Sequence, residues 1–261
     1  MITSRDNSLL RRARAVRDGK LHELIFVEGL RLCEEALRSR LAIEAVIYSE
    51  EIARKERAAH LIEGLGKVCN RLVSVSEKLL ASISYTETPQ GIVALASRPL
   101  MDEARFKSAQ PEPPLLVVMH GINNPVNVGA ILRTAEAAGA SGAITTQHST
   151  DPFSPKALRG AMGSAFRLPI WTGPTYADVL AWCSGRGIHT VCADPEALTS
   201  YTDIDWTAPC ALIVGPESSG LQPDEISAAA DAVKIPMQGH VESLNVAVAT
   251  GIILYEAARQ R

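Results

Sequence analysis

Apolar and polar positions in the first hundred residues follow two alternating rhythms. Short apolar runs predict strands at His22–Glu28, Ile43–Tyr48, Arg71–Val75 and Gly91–Ala96. Between them, Leu30, Cys33 and Leu37 recur at helical spacing within Gly29–Ser39. Glu51–Leu65 reads as a further helix, and Ser76–Ser82 as a short one with Ser76 as its N-cap. Strand and helix alternating at this spacing predict an α/β layer structure.

The texture changes at Arg98–Pro114, which is charged, proline-rich and poor in branched apolar residues. Its later half reads as a linker. Beyond it, Leu115–Met119 is all apolar, as strands buried on both faces of a parallel sheet are. Further strands are expected at Ala143–Thr146, Ile188–Cys192, Ala211–Val214 and Ala232–Ile235. Helices are expected at Pro125–Ala138, Pro155–Ala165, Tyr176–Ser184 and Ser243–Arg259. The division is therefore 1–100, a linker at 101–114, and a second α/β domain at 115–261 with a parallel sheet.

At 261 residues and 46% hydrophobic, the chain can bury one or two cores. Its formal net charge is −3, so charge alone does not announce a nucleic-acid partner. The exception is local: Arg5, Arg11, Arg12, Arg14, Arg17 and Lys20 face only Asp6 and Asp18 within the first twenty residues. The five cysteines form no CxxC pair, which argues against a zinc site or a disulfide framework and fits a reducing cytoplasm. No run approaches the ~18 apolar residues of a membrane span, and the first residues do not read as a signal peptide.

Several chemistries are excluded by absence. The chain has no GxxxxGK[ST], no GxGxxG after a strand, no HExxH and no GxSxG, and its six histidines are scattered. What is present lies at strand ends. After Leu115–Met119 comes Gly121–Arg133, in which Asn124 and Pro125 form a helix start and Gly139 a stop. Arg133 is a lone charge on an apolar helix, suited either to solvent or to a phosphate. Leu212–Leu221 ends a strand in a loop where Gly215 and Gly220 flank Glu217, which either complements a helix N-terminus or lines a site. Ile235–Val248 passes from a strand through a glycine loop into a helix. Ser243 is its candidate cap, and Asn245 is an amide among Leu244, Val246 and Val248 that needs a hydrogen-bond partner.

In order, NPxNxGxxxRTA (from Asn124), GxExxGL (from Gly215) and IPM…ESLNVAVA (from Ile235) resemble the three motifs of the SpoU (TrmH-type) RNA ribose methyltransferases. Ser154–Ile170 resembles the segment between the first two motifs. FVEGLRLCEEAL and TPQGIVALA resemble, more loosely, the family's substrate-binding domain with its ribosomal L30-type fold. The resemblance implies an RNA substrate-binding domain (1–100) before a trefoil-knotted parallel-sheet methyltransferase domain (115–261), and a homodimer with its sites at the subunit interface. It implies transfer of a methyl group from S-adenosyl-L-methionine to a ribose 2′-hydroxyl, in rRNA rather than tRNA given the extra domain, with no metal and no membrane.

Carried over residue by residue, the resemblance makes Arg133, Asn127, Glu217, Ser243 and Asn245 the catalytic set. Arg133 would bind the adjacent phosphate and help activate the hydroxyl. Gly215, Ile235, Leu244, Met237 and Cys192 would hold the cofactor. Ser218 stands where relatives often have glycine, and Pro216 stiffens the same loop. The competing readings are the same chemistry on tRNA, a resistance enzyme of the same family, and a non-catalytic RNA-binding protein. The intact catalytic set argues against the last of these.

Overall fold

The computed structural model describes residues 2–69, 71–99, 102–109 and 111–261. In chain order the elements begin with α1 (Ser8–Arg17), β1 (Leu24–Glu28), α2 (Leu30–Arg38), β2 (Ile43–Ser49), α3 (Glu56–Gly66), β3 (Leu72–Val75), α4 (Glu77–Ala81) and β4 (Ile92–Ser97). Then come α5 (Glu103–Ser108), β5 (Leu115–Met119), α6 (Pro125–Ala137), β6 (Gly142–Thr145), α7 (Pro155–Ala161), α8 (Ser164–Arg167), β7 (Ile170–Thr172) and α9 (Tyr176–Ser184). The last are β8 (His189–Ala193), β9 (Thr199–Ser200), β10 (Cys210–Val214), α10 (Pro223–Ala228), β11 (Asp231–Lys234) and α11 (Val246–Gln260). The chain packs as two compact units: residues 1–100 with Phe153–Arg167, and 101–152 with 168–261.

The first unit is a four-stranded sheet in the order β1-β4-β2-β3, antiparallel except for the β2–β3 pair. All five residues of β1 are buried. On one side Leu9, Leu10, Ala13 and Val16 of α1 enter a core with Phe26, Ile47, Leu80 and Leu95. The arginine-rich start is thus an amphipathic helix whose apolar face is fully used. Asn7 caps it, accepting from Leu9 N at 2.9 Å. Ser76 caps α4 as expected, accepting from Leu79 N at 3.4 Å. The helix expected over Glu51–Leu65 is instead a 3-10 turn, Ile52–Arg54, followed by α3, because Lys55 is extended.

Residues 153–167 belong to this unit. The helix expected at Pro155–Ala165 breaks into α7 and α8, because Met162 and Gly163 both take positive φ (51° and 96°). A β-carbon on Gly163 would come within 2.8 Å of Glu35, so only glycine allows that approach. Glu35 also takes Arg167 at 2.6 Å, and α7 packs on β1.

The second unit is a seven-stranded parallel sheet, β7-β6-β5-β10-β8-β11-β9. Central strands β5 and β10 are buried at every position, which is why both read as unbroken apolar runs. Leu116, Val118, Ile144, Val179, Ile213 and Cys192 share one core. Phe106 of α5 joins it, its ring tilted against Trp171 and Trp182 at 6.1 and 5.7 Å between ring centroids. A parallel sheet gathers its C-terminal strand ends along one edge. The chain after β5 builds out to β6 and β7, and later strands build from β10 the other way, so ligand-accepting loops converge near the β5–β10 seam.

Candidate active site at the sheet edge

Each motif supplies one loop of that edge. The first is the turn from β5 into α6. Asn124 caps α6 by accepting from Val126 N at 2.9 Å, Pro125 follows, and Gly139 (φ 80°) lies just past the C-terminus, all as the sequence indicates. The second is the Gly215–Leu221 loop after β10. A β-carbon on Gly215 would stand 2.7 Å from Leu221 N, so glycine is needed for the loop to fold back on itself. The third is the chain from β11 to α11.

A carboxylate–amide chain joins the three. Glu217 accepts from Asn123 N at 3.2 Å, Asn124 N at 3.1 Å and Asn127 Nδ2 at 3.0 Å. Asn127 Oδ1 accepts from Asn245 Nδ2 at 3.2 Å. Asn245 Oδ1 in turn accepts from Ala247 N and Val248 N at 2.9 and 3.4 Å, capping α11. The polarity is fixed from both ends. An ionised carboxylate only accepts and helix N–H groups only donate, so each amide has one orientation that satisfies its neighbours. Partial burial pushes the Glu217 carboxyl upward. Donation by Asn127, its own backbone N–H, Asn124 and Asn123 outweighs this and holds it below the usual carboxylate range.

Two expectations are corrected here. Ser243 does not cap the last helix. That helix starts at Val246, and Asn245 caps it, while Ser243 is exposed. Asn245 is not shut in an apolar setting either. It is exposed, and its neighbouring Leu244 and Val248 face solvent at 37% and 52%. Of the five residues expected to act together, Asn127, Glu217 and Asn245 touch as a chain. Arg133 and Ser243 stand apart, exposed and without a hydrogen bond or ion pair among the described residues. Arg133 is six residues beyond Asn127, about 120° around α6 from it.

Of the expected cofactor contacts, Ile235 and Met237 are half-buried and Leu244 is partly exposed. Cys192 points into the core, and burial pushes its thiol up to about 11, so only its backbone is available to a ligand. From Met237 through Leu244 the chain makes no backbone–backbone hydrogen bond among the described residues. With the neighbouring loop ends, this leaves a row of free amide donors and acceptors. Such a donor set suits an adenine base, ribose hydroxyls and an amino-acid group.

The sequence did not single out two features of the edge. One is the pair of backbone N–H groups from Asn123 and Asn124 on Glu217. The other surrounds His120, whose ring meets Glu225 and Thr146 at 2.9 Å each. The only sequence signal for it is position: His120 lies between a fully buried strand and the Gly121–Pro125 turn.

Comparison with known proteins places the chain. The family model described as SpoU rRNA Methylase matches residues 114–255, and a model of the MRM3-like substrate binding domain matches 10–94. The chain belongs to the SpoU rRNA methylase family. A Synechocystis protein named as a tRNA/rRNA methyltransferase is 32% identical over 100% of this chain and 94% of its own length. The 23S rRNA (uridine(2479)-2′-O)-methyltransferase of Streptomyces viridochromogenes is 32% identical over 90% of this chain and 82% of its own. The crystal structure of an AdoMet-bound rRNA methyltransferase from Sinorhizobium meliloti superposes with a TM-score of 0.86, at 30% identity, covering 99% of this chain and 97% of that one.

Proposed function

We propose that this protein transfers a methyl group from S-adenosylmethionine to a ribose 2′-hydroxyl of ribosomal RNA. The observation that carries the reading is the Glu217–Asn127–Asn245 chain, which ties all three motif loops at the sheet edge where open parallel sheets bind ligands. The activated sulfonium methyl is what the cofactor supplies. Gly215, Ile235, Met237 and Leu244 would hold it through their backbones, with the backbone of Cys192 beside them.

The chain's own residues have two remaining tasks: to orient the ribose and to acidify its hydroxyl. Arg133, always charged and without an ion-pair partner among the described residues, suits the phosphate next to the target ribose. The proton then has an acceptor in that phosphate, because a guanidinium is too basic to serve as a neutral base. Ser243, exposed in the third motif loop, would contact the ribose or the cofactor. The amide chain would keep the three loops in register during the reaction.

Among the described residues Arg133 and Ser243 have no hydrogen-bond or ion-pair partner, which favours a homodimer whose sites are completed across the interface. Its natural seam is the groove of about 690 Å³ between α6 and α11, lined by Val126, Ala130, Thr134, Val248, Ile252 and Tyr255. Tyr255 is 56% exposed and Val126 46%, an apolar strip that a second copy would cover. The proposal includes a trefoil threading of the second unit, supported by the strand order in which β10 inserts between β5 and β8. It also includes a first unit that grips RNA through an L30-type fold. A cytoplasmic site of action fits the substrate, and no helix among the described residues is long and apolar enough to cross a membrane.

The test is methyl transfer from labelled S-adenosylmethionine to separate pools of unmodified rRNA and tRNA, digested to nucleosides. Label in a 2′-O-methylnucleoside from rRNA is the expected result. Label in the tRNA pool alone would overturn the substrate, and label on a base would overturn the chemistry.

A further inference from the structure

His120 follows β5 directly, and its backbone N–H donates to Val214 O at 2.9 Å. That carbonyl is the last residue of β10, immediately before the Gly215–Leu221 loop. The His120 ring reaches the other end of the same loop. Its Nε2 meets Glu225 Oε1 at 2.9 Å, in the first turn of α10, while Glu225 Oε2 accepts from Gln222 N at 2.8 Å and so closes that helix's capping box. The opposite ring nitrogen, Nδ1, meets Thr146 Oγ1 at 2.9 Å, just past β6. Tyr176 flanks the ring at 4.7 Å between centroids, and its hydroxyl donates to Glu225 O at 2.9 Å. Burial pushes the Tyr176 phenol well above its usual range, so it stays a donor. Only 17% of the His120 side chain and 24% of that of Glu225 are exposed, so these bonds are sheltered from competing water.

We infer that His120 is a positioning residue for cofactor binding, fastening both ends of the Gly215–Leu221 loop. No other residue among those described holds the strand end of that loop with its backbone and the helix end with its side chain. The imidazole geometry suits the task. A proton on Nε2 serves the Glu225 carboxylate, and Nδ1 then accepts from the Thr146 hydroxyl. If Nδ1 is protonated as well, it donates to Thr146, whose hydroxyl can turn to Gln147 O at 3.3 Å. The tie to Glu225 survives in either state. Loosening it would let the loop carrying Gly215 and Glu217 drift, and the cost would fall on the ligand that the loop's backbone holds.

This inference rests on the reading that the loop holds S-adenosylmethionine, and the experiment separates the two. Binding of S-adenosylmethionine to the full-length protein is measured by calorimetry for His120→Ala, Glu225→Ala, the double variant, Glu225→Gln and Gly215→Val. Loss of the shared charge-assisted hydrogen bond should weaken binding about tenfold in His120→Ala and at least about tenfold in Glu225→Ala, which also loses the bond from Gln222 N. The double variant should be no weaker than the worse single, because both cut the same tie. Glu225→Gln keeps an acceptor oxygen for Nε2 but turns its NH2 toward Gln222 N, so it should restore part of the affinity and not all of it. The KM for RNA should not move, which a general loss of structure could not arrange. If His120→Ala fails to fold, Glu225→Ala cuts the tie from its other end and decides alone. Wild-type affinity in the alanine variants, with Gly215→Val unable to bind, would overturn the role of His120. Wild-type affinity in Gly215→Val as well would overturn the cofactor loop itself.

Discussion

Glu217 shows how much one exposed carboxylate can organise when every donor around it comes from the chain. Replacing it with glutamine puts an amide NH2 against Asn123 N–H or the Asn124 and Asn127 pair, so at least one donor loses its acceptor. With the discount due to an exposed group, the expected loss is about 1 kcal/mol, or about 2–4 °C in Tm for a chain of this size. The pH dependence gives a second check. The folded-state pKa of Glu217 is depressed, so its contribution is complete above the unfolded carboxylate value of about 4.3 and is lost as pH falls through the lower folded value. Thermal melts of wild type and Glu217→Gln should therefore differ at pH 7 and converge in acid. A difference that persists unchanged into strong acid would mean the carboxylate's charge is not what matters. Arg133 is the opposite case, with no structural bond to lose. Arg133→Ala should keep Tm and S-adenosylmethionine affinity and lower kcat by about 10² or more, read in the methyl-transfer assay. Equal loss of cofactor affinity would make Arg133 part of the cofactor site.

At the scale of elements, the helix caps were legible because capping is local chemistry. Asn7 and Thr175 act by the same rule as Ser76 and Asn124, although the last two are the ones the pattern picked out. The start of α11 was misread because Ser243 and Asn245 are both good caps, and only tertiary structure chooses between them. Asn245 wins since it also reaches Asn127. The two duties of Asn245 can be separated. In Asn245→Asp the oxygen capping α11 remains, but the second oxygen now faces Asn127 Oδ1, and Asn127 cannot turn over without presenting its oxygen to Glu217. Circular dichroism melts should change by no more than a few degrees, because the cap survives, while turnover falls about tenfold or more. Asn245→Ala should lose both, with about 1 kcal/mol of stability gone with the cap. If the aspartate variant turns over normally, the amide link is incidental and α11 needs only its cap.

For the whole molecule, the sheet of the second unit was readable from its apolar runs, but the short edge strands β7 and β9 and the helix α5 were not. Three residues or fewer carry too little pattern for the strands, and the proline-rich surroundings of Phe106 hide a side chain that packs against two tryptophans. The packing of Phe153–Arg167 with the first unit was equally hidden. In sequence this segment lies inside the 114–255 match, yet Phe153, Ala157, Leu158 and Ala161 are each at most 4% exposed, and α7 packs on β1. Among the described residues β1 pairs with β4 alone, and α7 packs against this edge strand. A chain beginning at residue 101 would keep this segment and lose what covers it. Phe153 and Leu158 alone each forfeit about 1.5–3 kcal/mol of burial, more than a seven-residue helix can recover by itself. Limited trypsinolysis of that truncated chain should cut first at Lys156 and Arg159, with increased binding of a hydrophobic dye. The parallel sheet should stay protected, and RNA binding should weaken. Full-length protein should resist at both sites. Protection of Lys156 and Arg159 in the truncated chain would show that the segment is held by the second unit.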